Sequence, residues 1–89
     1  MAGCKPVRST REEPGFAAGR ASIIPDARRW DAFWRAAEWG LARDPTAFDQ
    51  VDENLWVVIC EPSRTGMPRI RVYYSFDAQY IYLKWVELA

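Results

Sequence analysis

The chain reads as a small α+β domain: an antiparallel sheet of three to four strands packed against one or two helices. Three stretches predict this. DARRWDAFWRAAEWGLAR, residues 26–43, places Trp30, Phe33, Trp34, Ala37 and Leu41 at three- and four-residue spacing, one apolar stripe of a helix. LWVVIC, 55–60, is a compact apolar run with both faces suited to burial, as in a central strand. RIRVYYSFDAQYIYLKW, 69–85, alternates in two arms about a polar centre and predicts a hairpin.

Length and composition fit one domain. The 89 residues are 49% hydrophobic and 15% aromatic, with five tryptophans, enough for a single core in so short a chain. Residues 1–19 hold two prolines and three glycines without apolar periodicity and read as a flexible leader, leaving 20–89 as the domain. RASII, 20–24, suits a short strand ended by Pro25. Pro25 and Asp26 suit the start of the helix, and Arg43 before Asp44-Pro45 its end. Asp31 and Arg35 fall at i and i+4 on the outer face. Trp39 lies off the apolar stripe, placed to pack under a loop. Residues 45–54 are polar and acidic with Phe48 and Val51 as apolar pegs and room for one helical turn, and 61–68 is a loop.

Side-chain alternation sorts the hairpin. Ile70, Val72 and Tyr74 share one face with Ile81, Leu83 and Trp85, which suits burial against the helix. Arg69, Arg71, Tyr73, Tyr80, Tyr82 and Lys84 share the other. A turn over 76–79 pairs Ser75 with Tyr80, Val72 with Leu83 and Arg71 with Lys84. Like charges set opposite each other repel, which suits a face that meets an anion such as phosphate, and tyrosine rings there can stack on unpaired bases. The same residues also suit a half-exposed sheet with folding as its only task.

Several functions are excluded or made less apt. Lys+Arg and Asp+Glu are 12 each, so the chain lacks the basic excess of a dedicated nucleic-acid binder. The charge is uneven: 44–54 carries Asp44, Asp49, Asp52 and Glu53 with no cation, whereas 62–86 carries Arg64, Arg69, Arg71 and Lys84 against Asp77 alone. Without histidine there is no His-based triad or His-ligated metal, and Cys4 and Cys60 do not make a zinc site, so neither metal nor cofactor is expected. No run approaches a membrane span, and no apolar signal-peptide core is present; the expected setting is cytoplasmic and reducing.

Three pieces together, LARDP (41–45) leading to LWVV (55–58), PRIRVYY (68–74) and YIYLKWVE (80–87), resemble the RelE/ParE family of toxins of bacterial toxin–antitoxin pairs. The likeness covers about residues 20–88. It implies a short strand, a helical segment and three antiparallel strands, with the signature in the last two. It also implies a cognate antitoxin as partner and, for members that cut messenger RNA on the ribosome, metal-independent endoribonuclease chemistry. In such members an arginine of the penultimate strand contacts the scissile phosphate, a role that falls on Arg71. The ribose 2′-hydroxyl attacks the adjacent phosphate, so the protein aligns groups and neutralises charge. Arg71 and Lys84 would stabilise charge, Tyr73 or Tyr82 would move a proton, and Arg69 and Tyr80 would bind RNA. The alternative is a non-catalytic domain that binds a protein partner, such as an antitoxin helix, in an apolar groove lined by Trp39, Phe48 and Trp56. Ordinary core packing is the competing reading of those three, and an unrelated small domain that of the whole chain.

Overall fold

The computed structural model describes residues 8–61 and 67–89. The elements run β1 (Ser9–Glu12), α1 (Pro14–Ile23), α2 (Ala27–Arg43), a 3-10 turn at Pro45–Ala47, β2 (Asp49–Asp52), β3 (Leu55–Cys60), β4 (Ile70–Phe76) and β5 (Tyr80–Leu88). The class is α+β as expected, but the sheet has five strands in the order β1-β5-β4-β3-β2. It is mixed rather than antiparallel, because β1 runs parallel to β5.

The N-terminal expectations are corrected. Residues 1–7 lie outside the described residues, but Ser9–Glu12 is an edge strand and Pro14–Ile23 a helix, where a leader and a short strand were expected. Pro14 takes the first helical position, where its missing N–H costs nothing. Phe16 is wholly buried, 5.8 Å from the Trp30 ring and 6.1 Å from the Trp34 ring. Gly15 and Gly19 lie one turn apart and let α1 press onto β5. A β-carbon at Gly19 would stand 3.1 Å from Val86 Cγ1 and from the Val86 carbonyl oxygen. Glycines that read as flexibility are therefore a packing surface.

In α2 the predicted stripe is the buried one, with Trp30, Trp34 and Leu41 in the core and Phe33 and Ala37 packed against it. The Asp26 carboxylate caps the helix, accepting from the N–H groups of Arg28 at 3.0 Å and Arg29 at 3.3 Å. Beyond α2, the stretch read as polar and acidic with room for one helical turn holds the 3-10 turn and then an extra strand, β2. It joins β3 through a turn in which Asn54 has φ 46°, a left-handed conformation asparagine tolerates. Of the loop expected over 61–68, residues 62–66, with Arg64, lie outside the described residues.

The hairpin forms with a different register. Ser75 faces Tyr82, not Tyr80, and Tyr74 faces Leu83. A shift of two residues leaves every side chain on its face, so Ile81 and Leu83 are buried as expected. A bulge then intervenes: Tyr73 faces Trp85, and Lys84 has no partner in the ladder. That extra residue reverses the alternation. Val86 becomes the core residue, and Trp85 turns outward, 50% exposed. The predicted pairing of Arg71 with Lys84 is replaced by Arg71 opposite Glu87.

Candidate functional site

The core holds Phe16, Trp30, Trp34 and Leu41 of the two helices against Val58, Val72, Tyr74, Leu83 and Val86 of the sheet. Both helices pack on this face; on the other, the Trp85 ring still reaches the first turn of α1, 3.3 Å from where a β-carbon at Gly15 would stand. Combining alternation with the strand register orders this open face in rows. Ile59, Arg71 and Glu87 form one row, and Val57, Tyr73 and Trp85 the next. Ser75, Tyr82 and Arg11 form a further row. The apolar side chains Val57, Ile59, Tyr73 and Trp85 lie side by side, and Trp85 and Ile59 are the two most exposed.

Each cation expected to act on this face already has a carboxylate. Arg71 Nη1 lies 2.6 Å from Glu87 Oε2, which also accepts from the Tyr73 hydroxyl at 3.3 Å. Lys84 Nζ reaches Glu13 Oε2 at 3.1 Å, and Arg69 Nε reaches Glu61 Oε2 at 2.8 Å. Tyr73 first, then Glu87, raises the Arg71 guanidinium further above its usual range, so it is a fixed cation. The Tyr82 hydroxyl donates to Asp77 Oδ2 at 2.8 Å. That bond raises the phenol above its ordinary range, which makes Tyr82 a poorer source of phenolate. The Asp77 carboxyl is held low by the N–H groups of Gln79 and Tyr80 and by Tyr82.

The structure therefore brings Arg71 and Tyr73 together on one oxygen and disperses the others. Lys84 points to the start of α1, and Tyr82 to the hairpin turn. Tyr80 lies beside Tyr82 at 6.0 Å, with the Arg11 guanidinium 4.3 Å over its ring. Residues that sequence reasoning missed are Glu87, Glu13 and Glu61, which neutralise the cations, and Trp85, which the bulge turns outward.

The proposed groove residues also separate. Phe48 and Trp56 pack on the core, Trp56 at 5.7 Å from the Phe76 ring, which is the competing reading of these two. Trp39 packs under no described loop; it is 61% exposed, with the Arg43 guanidinium 3.8 Å over its ring. Among the described residues no group of three or more potential ligands could hold a metal ion, and no helix is long and apolar enough to cross a membrane. Comparison of the chain with protein-family models, with curated proteins and with solved structures finds no match.

Proposed function

We propose that this chain is a RelE/ParE-like domain that works by binding a protein partner, such as an antitoxin, through the open face of its sheet. The observation that carries this is the row Val57, Tyr73, Trp85 with Ile59 beside it, an apolar strip in which Trp85 is 50% and Ile59 41% exposed. Exposed aromatic and aliphatic side chains set side by side gain most from a partner that removes them from water. The element order of strand, two helices and antiparallel strands supports the family reading. The internal pairing of Arg69, Arg71 and Lys84 supports binding over cleavage, since a phosphate would have to displace carboxylates already in place.

One observation favours the second reading, a metal-independent endoribonuclease. Arg71 and Tyr73 converge on a single carboxylate oxygen, and a phosphate oxygen makes the same demand of its donors. Cleavage at that point requires Glu87 to swing aside.

The test is co-expression with the product of a short reading frame adjoining the gene. Co-purification that survives Arg71→Ala and is lost with Trp85→Arg supports the binding reading. Growth arrest on expression alone, relieved by Arg71→Ala, would replace it with the nuclease.

A further inference from the structure

Charge is ordered across the open face of the sheet. In the order β1-β5-β4-β3-β2 the middle strand is β4, and each edge strand lies two strand spacings from it, about 10 Å. On the β2 edge, Asp49 pairs with Val57 and Asp52 with Leu55, and an irregularity between Gln50 and Asp52 sets both carboxylates on the open face. On the β1 edge, Arg11 pairs with Tyr82 and stands on the same face, whereas Glu12 turns to Arg20 on the helix side.

Asp49, Asp52 and Arg11 are all exposed. Among the described residues neither aspartate has a cation within ion-pair distance, and Arg11 has no carboxylate. The other charges near the β1 edge are already met. Lys84 is matched by Glu13, and Asp77 accepts from the Tyr82 hydroxyl and from the N–H groups of Gln79 and Tyr80. Between the two edges lie Val57, Tyr73 and Trp85 with Ile59 beside them. The face thus runs from anionic through apolar to cationic.

Such a surface is complementary to itself under one two-fold axis. When two sheets pack face to face with the axis along β4, β1 of one copy meets β2 of the other, and β5 meets β3. Arg11 then meets Asp52 of the second copy. Both stand at the Ser75 end of β4, Arg11 through Tyr82, and Asp52 through Leu55, the neighbour of Trp56, which pairs with Tyr74. Trp85 meets the smaller Val57, and Tyr73 meets its own copy on the axis. Arg71 and Glu87 pack across the axis so that each guanidinium has a carboxylate on either side. An axis across the strands sets β1 on β1 and β2 on β2, which brings like charges together, so the charge order selects the first arrangement. Zero net charge removes the long-range repulsion between copies.

We infer that the open face closes on a second copy of this chain, as a two-fold dimer with its axis along β4, and that this dimer hides the apolar strip whenever no other partner holds it. The pairing rests on the same reading of the open face as a docking surface, and it names what occupies that face in the free protein. A sheet about 19 Å wide makes a small interface, so the association is weak, with Kd on the order of 10 µM. A partner can then take the face by mass action.

The test is sedimentation velocity of the full chain at low salt, over concentrations from about tenfold below to tenfold above that Kd. A monomer–dimer equilibrium is expected, weakening with added salt. Arg11→Asp and Asp52→Arg should each weaken it roughly tenfold or more. An equimolar mixture of those two variants should restore the dimer, because in the mixed pair each reversed charge meets its opposite. Trp85→Arg should abolish it, and Trp39→Ala on α2 should leave it unchanged. All four side chains are exposed, so none of these changes threatens the fold. A chain that stays monomeric throughout overturns the proposal. So does a dimer indifferent to Trp85→Arg and to the charge reversals, which would place the contact on another surface such as the free edge of β2, and so does a mixture no better than either variant alone. A monomeric chain whose co-purification with a partner is still lost in Trp85→Arg overturns the dimer and leaves the docking reading standing. A dimer that follows the charge pattern, with co-purification indifferent to Trp85→Arg, supports the dimer and removes the partner from this face.

Discussion

Arg71 and Glu87 face each other directly across β4 and β5, and their side chains meet with Nη1 2.6 Å from Oε2. The pair sits on the open face of the sheet, each side chain more than a third exposed. Exposed ion pairs contribute little to stability, because water and salt already serve both groups. Arg71→Ala should therefore leave the thermal midpoint at the wild-type value within measurement error. A clear drop would mean that Arg71 holds the sheet together.

Tyr74 is wholly buried and donates its hydroxyl to the Pro45 carbonyl oxygen at 2.5 Å, joining β4 to the turn after α2. Tyr74→Phe keeps the ring and leaves that carbonyl without its donor. Urea unfolding should show a loss of about 1–3 kcal/mol. No loss would mean that water reaches Pro45.

The strand–helix segment before α2 is part of the fold, so Phe16→Ala should cost about 3–5 kcal/mol, and Leu83→Ala about 2–5 kcal/mol. Denaturant midpoints with an unchanged slope would check both. A Phe16→Ala protein as stable as the parent would return residues 8–19 to the status of a flexible leader.

Gly19→Ala sets two effects against each other. Alanine gains up to about 1 kcal/mol in a helix interior, but its β-carbon would meet Val86 Cγ1 and the Val86 carbonyl oxygen at 3.1 Å. The carbonyl belongs to the sheet backbone and cannot yield cheaply, and overpacking of this kind costs about 1–3 kcal/mol. Net destabilisation is the expected result of thermal unfolding; a stabilised variant would show that α1 has room to move off β5.

Two buried groups set the alkaline limit. Burial, with a smaller push from Glu61, raises the Cys60 thiol from its ordinary 9.0 to about 11. Burial also raises Tyr74, with Asp44 and Asp49 adding to it. Raised values mean that the native state favours the protonated forms. Their contribution is complete below about pH 9 and is lost as pH climbs through 9 to 11 for Cys60 and beyond 10 for Tyr74. Stability should fall over that window, and more shallowly between pH 9 and 11 in Cys60→Val. An equally steep fall in that variant would remove Cys60 from the account.

The legible part of the fold was whatever carried a period. The α2 stripe, the apolar run of β3 and the alternation through β4 and the first half of β5 are written in apolar spacing, and each formed where the sequence placed it. The α1 helix was hidden because it buries one large residue, Phe16, and uses glycine where a longer helix would use leucine. The bulge at Lys84 was hidden because nothing in YIYLKWVEL marks a break in alternation, and the whole second half of β5 turned with it. The site suffered most from this. The stretch 62–86 reads as basic only because it stops one residue short of Glu61 and Glu87, the carboxylates that pair with Arg69 and Arg71. With Arg71 facing Lys84 the face asks for an anion, and with Arg71 facing Glu87 it already has one.

The most direct measurement incubates purified wild type, Arg71→Ala and Glu87→Gln with single-stranded RNA and follows chain cleavage in the absence of metal. A binding domain whose Arg71 is held by Glu87 should leave the RNA intact in wild type and in Arg71→Ala, while Glu87→Gln at most raises RNA retention without cutting. Cleavage by the wild type that disappears in Arg71→Ala would contradict the account and make the Arg71–Tyr73 pair a catalytic site.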